Sequence, residues 1–263
     1  MNIAAAALPA PMERRSYKVV GIRVDAVTMP AAIAQIQEWI AARVRGKYVA
    51  VTGMHGVSES LRDPHLREII NDAGLIVPDG MPLVWLARWH GISLHSRVTG
   101  SDLMETFCRE AGSRYRHFFY GGAPGVAEDL ANKLRDRFNI VIAGTYTPPF
   151  RPQTVQEEEE VSALVKQTKP DILWVGLSTP KQERWMHAHR GTLTVPVMLG
   201  VGAAFDMHSG RLERAPVWVQ SIGLEWFYRL IAEPRRLWKR YLVVIPGAAC
   251  NVLLEMLHIL KYE

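Results

Sequence analysis

Asp79 stands alone as a carboxylate in the run VPDGMPL at 77–83, between an apolar segment and an amphipathic one. Leu75, Ile76 and Val77 read as the end of a buried strand, and MPLVWLARW at 81–89 reads as the opening of a helix. A carboxylate placed there lies at the carboxyl end of a strand, where open α/β sheets hold their ligands. An Asp before a helix ordinarily serves as a cap. The alternative is a general base that takes a proton from an attacking hydroxyl.

Three further turns carry polar or small residues. In FFYGGAPG at 118–125, Gly121 and Gly122 leave room for an anion, and the N–H groups that open the next helix would point at it. The run matches neither a dinucleotide fingerprint nor a Walker loop, and an ordinary strand-to-helix turn is the other reading. In GLSTPKQERW at 176–185, Pro180 suits the first helical position. Gln182 then falls in the first helical turn, facing the same crevice as Asp79, while Lys181 and Arg184 meet phosphate or water. Thr52 ends the second strand with its hydroxyl at the crevice rim. Arg97, in SRVTG before another helix, binds phosphate or pairs with an acid. There is no D-x-D pair to hold a metal-nucleotide complex and no Ser or Cys in an elbow motif. His187 and His189 are spaced i,i+2, which points them apart on a helix, so no metal site is expected.

The elements that must position these residues alternate. Strands are expected at 17–24, 48–52, 73–77, 116–120, 140–143, 171–175 and 195–201. Helices are expected at 30–44, 65–72, 99–111, 126–138, 155–167 and 180–189. Continuously apolar runs such as ILWVG and VMLGVG are what strands covered on both faces look like. The pattern predicts an α/β fold with a doubly wound, mainly parallel Rossmann-like sheet over 17–210.

After residue 210 the alternation stops. Trp218, Ile222, Trp226 and Leu230 recur every four residues as an apolar stripe. The stretch 229–240 then carries Arg229, Arg235, Arg236, Lys239 and Arg240 against one acid, Glu233. The apolar tail at 242–260 is broken by Pro246-Gly247 and by Asn251, Glu255 and His258. A spanning helix needs about 20 apolar residues with few charges. Residues 211–263 are therefore expected to form a helical, membrane-associating appendage that lies in the interface, with a helical cap on the core as the plainer reading.

The 263 residues are 48% hydrophobic and 22% charged, which is a folded composition, and the net charge of +5 suits phosphate-bearing substrates, nucleic acid or an anionic membrane. Cys108 and Cys250 are far apart and read as two core thiols of a reducing compartment. Residues 1–16 open with MNIAAAALPAPM, which lacks a basic start and a long apolar centre, and are expected to be a disordered arm.

Taken together, the motifs resemble the WecG/TagA/CpsF family of bacterial glycosyltransferases. The residues that carry the resemblance are Val51-Thr52, PDG at 78–80, RVTGSD at 97–102, YGG at 120–122, PKQE at 180–183, GVGAAFD at 200–206, RAP at 214–216, GLEW at 223–226, YRL at 228–230, EPRR at 233–236 and Arg240-Tyr241. The resemblance covers about residues 18–242. It implies an inverting, metal-independent enzyme, without cofactor. Such an enzyme moves a sugar from a UDP-sugar to a polyprenyl-diphosphate-linked sugar at the cytoplasmic face of the inner membrane, which it binds peripherally through anionic lipid. It implies Asp79 as general base, Thr52, Gln182 and Arg97 as substrate contacts, and Arg229 and Arg236 as appendage cations that complete the site. The charge that builds on the leaving diphosphate needs cationic side chains and oriented N–H groups, and Arg97, Arg229, Arg236 and the Gly121-Gly122 turn are the candidates. One departure stands out: many members carry Asn two residues after the Thr, and this chain carries Met54. Glucose, in exopolysaccharide assembly, is the expected donor sugar. N-acetylmannosamine or its uronic acid is the alternative, and a non-catalytic nucleotide- or nucleic-acid-binding protein is a second. Nucleic acid is not expected as a partner of the enzyme.

Overall fold

The computed structural model describes residues 15–221 and 223–262. Most of the expected N-terminal arm lies outside the described residues, and the chain is already a strand at Ser16.

The strand expected at 17–24 is a hairpin instead: β1 (Ser16–Val19) and β2 (Ile22–Asp25) pair antiparallel. Val20 and Gly21 close it with φ of 44° and 80°. Positive φ at both central residues matches the twist of two-residue hairpins, but a β-branched residue there runs against local propensity. The apolar alternation therefore reads straight through the turn. There follow α1 (Met29–Ala41), β3 (Lys47–Thr52), α2 (Met54–Arg62), α3 (Pro64–Asn71), β4 (Leu75–Pro78), α4 (Met81–Trp89), α5 (Gly100–Ala111), β5 (Arg116–Gly121) and α6 (Val126–Phe138). Next come β6 (Val141–Tyr146), α7 (Val155–Thr168), β7 (Ile172–Gly176), α8 (Lys181–His189), β8 (Val197–Gly200) and α9 (Ala204–His208). α2 was not expected: MHGVSESLR carries a Gly and two Ser that read as loop.

β3 to β8 form one six-stranded sheet in the order β4-β3-β8-β7-β5-β6, with every neighbouring pair parallel. This is the expected doubly wound architecture. Successive residues alternate between two apolar layers. Val49, Val51, Leu75, Val77, Trp174 and Leu199 face α1, α5 and α6. Tyr48, Ala50, Ile76, Leu173, Val175 and Met198 face α2, α3, α4 and α8. Both sheet faces are thus dry, which is why the strand runs are apolar throughout. The hairpin stays outside this sheet. Its Asp25 carboxylate accepts the Ile76 N–H at 2.8 Å and covers the β4 edge.

The C-terminal segment is helical, as expected: α10 (Val217–Ser221), α11 (Glu225–Ala232), α12 (Pro234–Lys239) and α13 (Ile245–Met256). The expected break at Pro246-Gly247 does not occur. Proline lacks an N–H, and its ring crowds the carbonyl four residues back. A π-helical turn at Arg240–Val244 widens the helix just ahead of it and lets the chain continue. The resulting run, Leu237–Met256, is long and apolar enough to cross a membrane by length and composition alone. It also returns to the core. Val252 joins the apolar layer of Val57 and Ile70, and the Glu255 carboxylate accepts the Val20 N–H at 2.7 Å. Cys250 is exposed on α13 and only Cys108 is a core thiol, because one face of α13 alone packs inward.

Candidate active site

Asp79 follows β4 directly. Its N–H donates to the Thr52 carbonyl at 2.8 Å, which extends the β3–β4 pairing by one step. Gly53 makes that approach possible: a Cβ there would lie 2.6 Å from the Asp79 carbonyl oxygen. Gly80, at φ 120°, is the N-cap of α4, so the Asp79 carboxylate is not the cap. It faces a cavity of about 350 Å³ over the carboxyl ends of β4, β3, β8 and β7. The C-terminal helices close the far side through Glu225, Trp226, Arg229, Arg240, Tyr241 and Ile245.

Burial is the main influence on Asp79 and pushes its carboxyl up to about 6; Arg97 opposes this, Glu225 adds to it, and Arg240 and Arg229 oppose it. A carboxylate held there is a stronger base than an exposed Asp and is still ionised at neutral pH. Arg97 donates to Glu225 Oε2 at 2.8 Å, and Arg214 Nε lies 3.9 Å from Glu225 Oε1. Arg214 also pairs with Asp102 at 2.6 Å, and Thr99, which caps α5, donates to the other Asp102 oxygen at 2.7 Å. Arg229 reaches Glu233 only at 3.9 Å, and its buried Nε has no hydrogen-bond partner. The cavity thus gathers cations whose carboxylate partners come mostly from the C-terminal segment.

The opposite wall is built by the loop before α8. Gln182 is buried, lines the cavity and leaves its Oε1 without a hydrogen-bond partner. Pro180 is the N-cap of α8 rather than its first residue, and the Thr179-Pro180 peptide is cis. His55, at the start of α2, lines the same wall beside Thr179. Burial, with Arg240 nearby, lowers its pKa to about 4, so the imidazole is neutral at pH 7. Met54 is its neighbour in the wall.

Of the residues singled out in the sequence, the structure brings Asp79, Arg97, Gln182 and Arg229 to one cavity. Thr52 does not line the cavity, although Val51 and Gly53 on either side of it do: its side chain is buried rather than at the crevice rim, and its hydroxyl has no hydrogen-bond partner. Arg236 belongs to α12, and its side chain falls outside the described residues. Gly121 and Gly122 do not reach the cavity. A Cβ on Gly121 would lie 2.6 Å from the Gly176 carbonyl oxygen, and the Gly122 N–H already donates to that oxygen at 3.0 Å. These glycines serve the close approach of β5 and β7, and the Gly122 amide is not open to an anion. Arg184 is engaged by Asp63. His55 is a cavity residue that the sequence does not single out, whereas Glu225 and Arg240 stand there only within the motifs GLEW and Arg240-Tyr241, with no role assigned to them.

The chain resembles known proteins over most of its length. The family model described as "Glycosyl transferase WecG/TagA/CpsF family" matches residues 17–261. The chain is 34% identical over 198 residues, 74% of its length and 75% of the relative's, to the N-acetylglucosaminyldiphosphoundecaprenol N-acetyl-beta-D-mannosaminyltransferase of Bacillus subtilis (strain 168). It is 32% identical over 202 residues, 76% of each chain, to the protein of the same name from Bacillus spizizenii.

Proposed function

The chain belongs to the WecG/TagA/CpsF family of glycosyltransferases, and from that premise we propose that it transfers N-acetylmannosamine from its UDP derivative to N-acetylglucosaminyl-diphosphoundecaprenol, with inversion. The relatives' names support this sugar and acceptor. Neither supports glucose, the donor first expected, and the reading as a non-catalytic binding protein lapses with membership of an enzyme family.

The observation that carries the reaction is that Asp79 shares one cavity with Arg97, Arg229 and Arg240. The acceptor hydroxyl oxygen attacks the anomeric carbon and its proton passes to the Asp79 carboxylate. The bond from that carbon to the β-phosphate oxygen breaks with its electron pair, and UDP leaves. The arginines meet the charge that builds on the diphosphate, and a guanidinium fork suits two phosphate oxygens at once. Arg236 is a further candidate for this role. Thr52 and Gln182 contact substrate from below and beside the base. The Gly121-Gly122 turn has no part in it.

The acceptor is a lipid, so the enzyme works at the membrane. Trp226, Phe227, Ile231, Trp238 and Leu242 are exposed on the helices that close the cavity, and Arg235 and Lys239 are exposed among them. Aromatic and cationic side chains interleaved in this way suit an anionic headgroup layer. The protein sits peripherally on the cytoplasmic face, with 237–256 lying along the surface because its far end is bonded to the core at Val20. The test is a donor screen with a diphosphate-lipid N-acetylglucosamine acceptor, following UDP release. Release with UDP-N-acetylmannosamine supports the reading. Release only with another UDP-sugar replaces the donor, and no release with any UDP-sugar overturns the reading.

A further inference from the structure

Glu183 is a buried carboxyl group one residue beyond Gln182, 1% exposed, and it does not line the cavity. Its Oε1 accepts two hydrogen bonds: from the Thr179 hydroxyl at 2.9 Å and from the Gln182 side-chain nitrogen at 3.1 Å. Both of these donors line the cavity. Oε2 is buried with no hydrogen-bond partner, and burial raises the Glu183 carboxyl above its ordinary value. The group is a buried carboxyl whose Oε1 faces Thr179 and Gln182.

This fixes which way the Gln182 amide points. An oxygen that accepts from Thr179 must be met by the Gln182 NH₂ and not by its carbonyl. Two glycines make room for the amide in that orientation. A Cβ on Gly200 would come within 3.0 Å of Gln182 Nε2, and one on Gly202 within 3.4 Å of Oε1. The amide is thus wedged under the loop after β8, with nitrogen toward Gly200 and oxygen toward Gly202. That oxygen is buried and unpartnered beside the cavity. Unpartnered buried acceptors are uncommon in folded proteins and call for a partner.

We infer that Glu183 is a positioning residue: it takes the Gln182 NH₂ and the Thr179 hydroxyl on one oxygen, and so presents the Gln182 carbonyl to the cavity as an acceptor for a hydroxyl or N–H of the bound substrate. The inference deepens the transferase reading and rests on it for the identity of the substrate. A neutral Gln at 183 keeps the carbonyl acceptor, whereas Leu removes it and frees the Gln182 amide to turn.

The test uses the full-length protein and four variants: Glu183→Gln, Glu183→Leu, Gln182→Met and the double variant Glu183→Leu/Gln182→Met. With UDP-N-acetylmannosamine and the lipid acceptor, Glu183→Gln is expected to keep kcat/KM within about threefold. Glu183→Leu and Gln182→Met each lower it on the order of tenfold or more, as expected when a substrate donor loses its buried partner. The double variant should lose no more than either single one, because both act through one amide. A Glu183→Leu protein that keeps full kcat/KM, or losses that multiply in the double variant, overturn the inference.

A second readout does not need turnover. The side-chain amide protons of Gln182, assigned by their loss in Gln182→Met, should exchange slowly in the wild type and in Glu183→Gln, and fast in folded Glu183→Leu. Equal exchange in wild type and Glu183→Leu overturns the inference even if the protein is inactive. Inactivity of the wild type with every UDP-sugar sinks the transferase reading alone.

Discussion

Arg97 and Glu225 are joined at 2.8 Å across the seam between the strand-end loops and the C-terminal helices. Glu225 also lies within 3.9 Å of Arg214 and adds to the upward push on Asp79. One carboxylate from α11 therefore holds the core's candidate phosphate-binding arginine in place and strengthens the proposed base. Both side chains of the pair are less than a fifth exposed. Glu225→Ala should thus destabilise the protein by about 2 kcal/mol or more, since it leaves the partly buried Arg97 without its carboxylate partner. Chemical denaturation measures this, and a change below about 0.5 kcal/mol would mark the bridge as incidental.

Asp79→Asn removes the proposed base and keeps the shape. Transfer should fall by about a hundredfold to ten-thousandfold, while UDP binding, measured by calorimetry, stays close to that of the wild type. Unchanged turnover would eliminate Asp79 as the base.

The same residue sets a pH profile. The carboxylate must be ionised to accept a proton, so kcat/KM should rise with pH, bend near the Asp79 pKa of about 6 and level off above it. An acid limb that bends near 4 would show a carboxyl in an ordinary environment.

Stability should run the other way. The Asp79 pKa is raised from 3.8 to about 6 on folding, so between those values the folded state binds more protons than the unfolded chain. Stability therefore falls as pH rises through that window, by up to about 3 kcal/mol, and stays lower above it. Asp79→Asn should recover part of that at pH 7.5. Unfolding curves of both proteins at pH 4 and pH 7.5 test the sign: no gain in the variant at the higher pH would contradict the buried placement.

The exposed apolar residues of the C-terminal helices give a surface prediction. Replacing Ile231 and Trp238 by Ser should cut flotation with anionic vesicles several-fold and spare binding of soluble UDP, because both are exposed and neither lines the cavity. Equal flotation of variant and wild type would move the membrane contact elsewhere.

Much of this fold was legible because its evidence is local. Apolar runs such as ILWVG can be satisfied only by a strand covered on both faces, and three of the helices between the strands carry side-chain caps of their own. Thr99 accepts the Asp102 N–H, and Thr154 and Glu157 form a reciprocal capping box. The errors fall where one local preference was overruled by packing. Val20 takes a positive φ that its branched side chain disfavours, because β1 and β2 bury Val19 and Ile22 on the core. Pro246 sits within a helix because a π-turn makes room for it.

The sequence by itself determined that Asp79, Gln182 and Arg97 stand at strand ends and helix starts, since strand and helix periods alone set those positions and parallel topology puts strand ends on one side. The tertiary structure decided the rest. It brought Arg229, Arg240 and Glu225 back over Asp79 from about 150 residues away, turned the Gly122 amide to the Gly176 carbonyl, buried Glu183 and buried His55 in neutral form. Those outcomes depend on which surfaces meet and how much water they exclude, and neither quantity is carried by any single stretch of chain.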